Sequence, residues 1–246
     1  MQTFKIAVAQ VPSNKGDVAT NTATHLHAIK CASAQGVSCL VFPELSLTGY
    51  EPELASDLAF THDDLRLQPF IDAAREYNIS IGVGVPLATV QGIEIGLLFF
   101  SPAGEVTSYS KMHLHPGEDR YFSPGSEHHI ETLHGVTIAH AICADTNQPQ
   151  HARECAKAGA EVYIAGVMIT AGGYEADTAA LSRYASEHGM LVAMANHNAS
   201  TGGWQPIGKS AIWTESGLLA CANETQQALV VAEQTSQGWV GQVFEI

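Results

Sequence analysis

Basic residues are scarce. Against 25 Asp and Glu the chain carries 11 Lys and Arg, a formal net charge of −14 with histidines neutral. Such a surface repels phosphate backbones and anionic headgroups, so neither nucleic-acid nor membrane-surface binding is expected. Nowhere do about 18 apolar residues follow one another, which speaks against a membrane-spanning helix. The opening stretch MQTFKIAVAQVPSNKG is not expected to act as a secretory signal, because its apolar run is short and polar residues and Pro12 follow directly. Cysteine is sparse too. Cys31, Cys39, Cys143, Cys155 and Cys221 are odd in number and without C-x-x-C spacing, which fits neither a disulfide frame nor a zinc ribbon. Free thiols in a reducing, cytoplasmic compartment are the expectation. Cys39, Cys155 and Cys221 read as packing residues and Cys31 as a helix residue.

What the chain does have is apolar material for a core, at 46% of 246 residues. Short β-branched runs alternate with helical stretches. Residues 5–11 read as a strand, 21–35 as a helix, and 38–42 as a short strand apolar on both faces. Residues 63–77 carry a helical stripe opened by acidic residues. Residues 79–85, 93–100 and 106–110 form a meander of hairpins. The remaining strands are predicted at 136–142, 161–167 and 191–196, with a hairpin at 210–214 and 218–222. Helices are predicted over 149–158 and 174–188, stopped by Gly159 and Gly189. This alternation implies an α/β fold with a mixed sheet or sheets.

Three polar residues fall at strand ends, where α/β proteins tend to hold ligands. Glu44 follows Pro43 in VFPELSLTGY, Lys111 opens SKMHLHPGEDRYF, and Cys143 ends VTIAHAIC. Taken singly each has a plain reading: a solvated loop carboxylate, a snorkelling surface lysine, a buried thiol. A cysteine at a strand-to-helix junction can also have its thiolate stabilised by helix amides and a cation.

Together and in this order the segments resemble the carbon–nitrogen hydrolase family, also called the nitrilase superfamily. The likeness extends from KIAVAQ through AICADTNQPQHARECAKAGAEVYI to MANHN and GKSAIWTESGLLACANE. It covers residues 1–246 as a single domain. It implies a four-layer α-β-β-α sandwich with two mixed β-sheets. It further implies a Glu-Lys-Cys triad of Glu44, Lys111 and Cys143, with Glu118 orienting the lysine or the substrate. The chemistry would be hydrolysis of a small amide or carbamoyl compound through a thioester, without a cofactor. Ala144 and Asp145 beside the nucleophile, with Tyr50 and Asn196, are candidates for the oxyanion site or pocket wall. For Tyr50 and Trp204 core packing is the plainer reading, and for Asn196 and His197 capping or turn duty. Members of this family commonly form homodimers or larger assemblies.

The sequence departs from the pattern after the cysteine. Many family amidases read C-Y-D-x-R-F-P-E there, whereas this chain has Ala144, Asn147 and Gln150 in place of the aromatic, the Arg and the Glu. Nitrilases proper more often have C-W-E, so the match leans towards amides, with nitrile hydrolysis as the alternative. Losing the Arg weakens the case for substrates with a free carboxylate, unless the two polar changes compensate each other. A metal hydrolase is a rival, since His113, His115 and Glu118, with His128 or His129, could hold an ion if an H-x-H pair lay on a strand. A catalytically inactive binding subunit is another.

Overall fold

The computed structural model describes residues 4–246. Its organising feature is a pair of three-stranded parallel units, one at the centre of each sheet. In the first, β1 (Lys5–Gln10), β2 (Cys39–Val41) and β3 (Ser80–Thr89) pair in parallel. Helix α1 (Val18–Ala34) joins β1 to β2, and α2 (Ala55–Leu58) and α3 (Gln68–Tyr77) lie between β2 and β3. Antiparallel strands extend this unit on both sides. β4 (Gly92–Phe100) and β5 (Val106–Ser110) continue from β3, while β12 (Ala228–Thr235) and β13 (Gly238–Glu245) lie beyond β1.

The second unit consists of β7 (Val136–Ile142), β8 (Val162–Val167) and β9 (Leu191–Asn196). Its crossovers are α4 (Pro149–Lys157) and α5 (Ala171–His188). β6 (Ile130–Leu133) flanks β7, and the hairpin of β10 (Ala211–Thr214) and β11 (Gly217–Cys221) flanks β9.

Alternation of side chains builds the layers. On β1, Ala7 and Ala9 face outward onto Ala28, Ile29 and Ala32 of α1. Ile6 and Val8 face inward, where they join Ile138, Ile142 and Ile164 of the other sheet. On the far side Tyr163 and Val192 meet Cys155, Leu181 and Tyr184 of α4 and α5. The result is the expected α-β-β-α sandwich with two mixed sheets, of seven and six strands. Parallel strands buried on both faces are why the runs at β1, β2 and β8 are continuously apolar.

Several boundaries differ from the sequence expectation. The 63–77 stretch is two elements, because the Asp64 carboxylate accepts from Arg66 N–H and caps a 3₁₀ turn at Leu65–Leu67. Pro69, which has no N–H to lose, then sits in the first turn of α3. Helix α1 starts earlier than residue 21 because Asp17 caps it through Thr20 N–H. β6, β12 and β13 were not anticipated. No helix among the described residues is long and apolar enough to cross a membrane.

Candidate active site

Glu44 sits on a turn clamped between the two sheets. The turn is tied to β3 by Phe42 N–H on Gly82 O and Leu47 N–H on Gly84 O, at 2.9 and 3.0 Å. A Cβ at Gly84 would lie 2.3 Å from Pro43 O, and one at Gly166 of β8 would lie 2.7 Å from Phe42 O. Glycine at both places lets the turn approach both sheets. Leu45 adopts a left-handed φ of 50°, and His197 Nε2 donates to the Glu44 carbonyl at 2.8 Å.

Lys111 leaves β5 and turns its side chain inward, fully buried. Its Nζ donates to Glu44 Oε1 at 2.7 Å and to Glu118 Oε1 at 2.8 Å. Glu118 also accepts from Tyr50 Oη and from His115 N–H, both at 2.7 Å. The snorkelling reading of Lys111 and the solvated reading of Glu44 are both overturned. Each side chain has a charged partner too far along the chain to be seen locally, Glu44 being 67 residues from Lys111.

Cys143 follows β7 with a φ of 43°, a strained value for a non-glycine residue. It opens the 3₁₀ turn Cys143–Asn147, and its Sγ lies 3.9 Å from Met168 O. Asp145 holds this turn. Its Oδ2 accepts from Ile142 N–H and Tyr109 Oη at 3.0 and 2.7 Å, and its Oδ1 accepts from Met112 N–H and His113 N–H at 3.1 and 2.8 Å.

The electrostatics follow from burial and pairing. Burial raises the pKa of Glu44 to about 7, against the lowering effect of Lys111, while the charge of Glu118 raises it further and the neighbouring Cys143 thiol lowers it slightly. Glu44 Oε2 is buried and has no hydrogen-bond partner among the described residues. Burial opposes the charge on Lys111, but Glu44, Cys143 and Glu118 outweigh it and hold the ammonium above its ordinary value. Burial and then Glu44 push the Cys143 thiol well above its usual range, with Lys111 pulling the other way. Desolvation thus prevails over the single ammonium and favours the neutral thiol of Cys143, where a helix junction and a cation suggested a stabilised thiolate.

Glu44, Glu118 and Cys143 face a cavity of about 290 Å³ that also takes in Tyr50, Ala144, Asn147 and Met168, with Lys111 behind its wall. Tyr50 and Trp204 line the cavity, where core packing was the plainer reading. Asp145 does not line it, because backbone amides and Tyr109 occupy its carboxylate. Asn196 does not line it either. Its amide group bridges Ile169 N–H, Ile169 O and Gly208 O, which fixes the loop after β8. Gln150 is engaged by Glu154 outside the cavity, whereas Asn147 lines it.

The proposed H-x-H metal set does not form. Residues 111–117 are irregular, so no strand aligns the rings. His113 Nδ1 turns to Asp145, His115 Nδ1 lies against Pro116 O, and Glu118 is bound to Lys111. His128 instead groups with His151 and Cys155, and His129 with Glu131 and His140. Sequence reasoning missed Met168 and Asp177 as lining residues. The glycine pair Gly172-Gly173 at the start of a helix was the available signal for the latter.

The carbon-nitrogen hydrolase family model matches residues 5–240. An (R)-stereoselective amidase of a Pseudomonas species is 31% identical over 65% of this chain and 59% of its own length, so the match spans less than two thirds of that relative. A nitrilase of Pyrococcus abyssi is 28% identical over 83% of this chain and 79% of its own. Among solved structures, the amidase of Nesterenkonia sp. AN1, with an acetamide moiety added at its active-site cysteine, superposes with a TM-score of 0.85. It is 24% identical, over 94% of this chain and 90% of that one.

Proposed function

The chain belongs to the carbon–nitrogen hydrolase family, and from that premise we propose that it hydrolyses small non-peptide amides or carbamoyl compounds through a thioester on Cys143. The observation that carries this reading is the buried Lys111 ammonium held between Glu44 and Glu118 beside a cavity that contains the cysteine. Two carboxylates and an ammonium taken out of water are costly, and chemistry accounts for keeping them there.

In this reading Glu44 removes the thiol proton as Cys143 sulfur bonds to the amide carbon. The oxygen of the tetrahedral intermediate gains the charge, and Lys111 Nζ and the Ala144 backbone N–H donate to it. Loss of one such donor typically costs about 2.7–4 kcal/mol of transition-state stabilisation. The intermediate collapses, the C–N bond breaks, and Glu44 returns its proton to the departing amine. Glu44 then takes a proton from water as the oxygen attacks the thioester, and the thiol leaves with that proton. Glu118 keeps Lys111 in place and is itself fixed by Tyr50 and His115 N–H.

Action as one domain, assembly as a homodimer or larger, and a cytoplasmic location belong to the same reading. The core shared by the two sheets supports the first, the half-exposed outermost strand β13 the second, and the unpaired cysteines the third. A panel of simple amides, ureido acids and nitriles assayed for released ammonia tests the activity. Amides are expected to react, and turnover that survives Cys143→Ala would remove the reading.

A further inference from the structure

The cavity's charge is one-sided. Among the described residues no arginine or lysine lines it, and the ammonium of Lys111 behind it is engaged by two carboxylates. Asn147, which carries no charge, lines the wall beside Cys143 and Ala144. Asp177, on the second turn of α5, lines the same cavity. Its carboxylate is half-buried and has no hydrogen-bond partner among the described residues. Burial raises its pKa, with the charge of His115 acting in the opposite direction.

The helix leaves this carboxylate uncovered. Gly173 lies four residues before Asp177 and also lines the cavity. A Cβ at Gly173 would stand 3.1 Å from Asp177 Oδ2 and crowd the approach to it. Glycine is a poor helix residue, so its presence here favours access over helix stability. Two aromatic rings complete the wall: Tyr50, and Trp204, which is 53% exposed. A partly desolvated carboxylate that shares a cavity with two aromatic side chains, with no lysine or arginine among the lining residues, is suited to an ammonium.

We propose that Asp177, with Trp204, forms an ammonium subsite, so that the preferred substrates are amides whose acyl group carries a protonated amine. Amides bearing a free carboxylate are repelled by the same wall. This deepens the amidase reading and rests on it.

Three amides with the same acyl length test the proposal at neutral pH: β-alaninamide, butyramide and succinamate, which are cationic, neutral and anionic. The expected order of kcat/KM is β-alaninamide, then butyramide, then succinamate, with about 100-fold or more between the ends. Asp177→Asn should lower the ratio of β-alaninamide to butyramide about tenfold. Trp204→Ala, in an exposed loop, should lower it about threefold. If butyramide turns over by way of Cys143 but succinamate matches β-alaninamide, or Asp177→Asn leaves the ratio alone, the subsite is wrong and the amidase stands. Should none of the three turn over, calorimetric titration of the Cys143→Ala protein decides. The same ranking, lost when Asp177→Asn is added, supports the subsite; equal or absent binding overturns it.

Discussion

Asp145 Oδ1 accepts the backbone N–H of His113 at 2.8 Å, so the turn that carries the nucleophile and the turn that follows Lys111 share one carboxylate. The residue lies two positions from Cys143 and 32 residues from His113, and it acts as a fastener. Asp145→Ala should therefore lower stability by about 3 kcal/mol or more, since several amides are left without an acceptor. Asp145→Asn should lose less. The pKa of Asp145 is lowered in the fold: burial works against its charge, but hydrogen bonds and the nearby histidine prevail. Its contribution is thus complete above the ordinary value of 3.8 and is lost as pH falls below that. Urea denaturation of wild type and variant across acid pH checks both statements.

Cys143→Ala and Lys111→Ala should separate chemistry from structure. The first removes a half-buried sulfur and should abolish ammonia release with stability unchanged within about 0.5 kcal/mol. The second leaves two buried carboxylates without their cation and should also cost about 3–5 kcal/mol of stability. Thermal melts run beside the assays distinguish the two outcomes.

Glu44, with its pKa raised to about 7, must be ionised to accept the thiol proton. Activity should rise with pH and level off above that value, falling about tenfold per unit below it. The thiol and Lys111 are held too high to add an alkaline limb below their ordinary ranges. The sign for stability is opposite. Between the ordinary 4.5 and about 7 the folded chain keeps a proton that the unfolded chain releases, so this contribution declines as pH rises through the window. Glu44→Gln should consequently gain stability relative to wild type over that range, on the order of 3 kcal/mol in full. Paired melts at several pH values give the difference directly.

Gly84→Ala should displace the Glu44 turn, because its Cβ would fall 2.3 Å from Pro43 O. A loss of about 1–3 kcal/mol and a large fall in kcat are expected. Gly172→Ala is the control. Its Cβ would meet nothing closer than 4.0 Å, so helix propensity should make it neutral or stabilising.

The strand–helix order was readable because strands buried on both faces, such as β2 and β8, leave unbroken apolar runs. β13 escaped notice because it alternates weakly and lies at a sheet edge. Within the site, Glu44, Lys111 and Cys143 were all marked by a place at a strand end. Lys111 and Glu44 were not distinguishable from surface residues by local pattern, since their burial depends on a partner from another strand. Resemblance supplied what periodicity could not. Asp145 was assigned to the oxyanion site or pocket wall, because nothing in the sequence shows that backbone amides of residues 112 and 113 consume its carboxylate. Trp204 was the reverse case, an aromatic that reads as core yet stands in an exposed loop.

Glu44 and Lys111 leave the seven-stranded sheet, while Cys143 leaves the six-stranded one. Neither half of the sandwich holds the whole reaction centre, and the glycines at 84 and 166 set how closely the halves meet at the acid. Hydrolysis is thereby a gauge of inter-sheet docking. During refolding, circular dichroism should recover as each half acquires its strands, and ammonia release only later, once the two faces have locked together.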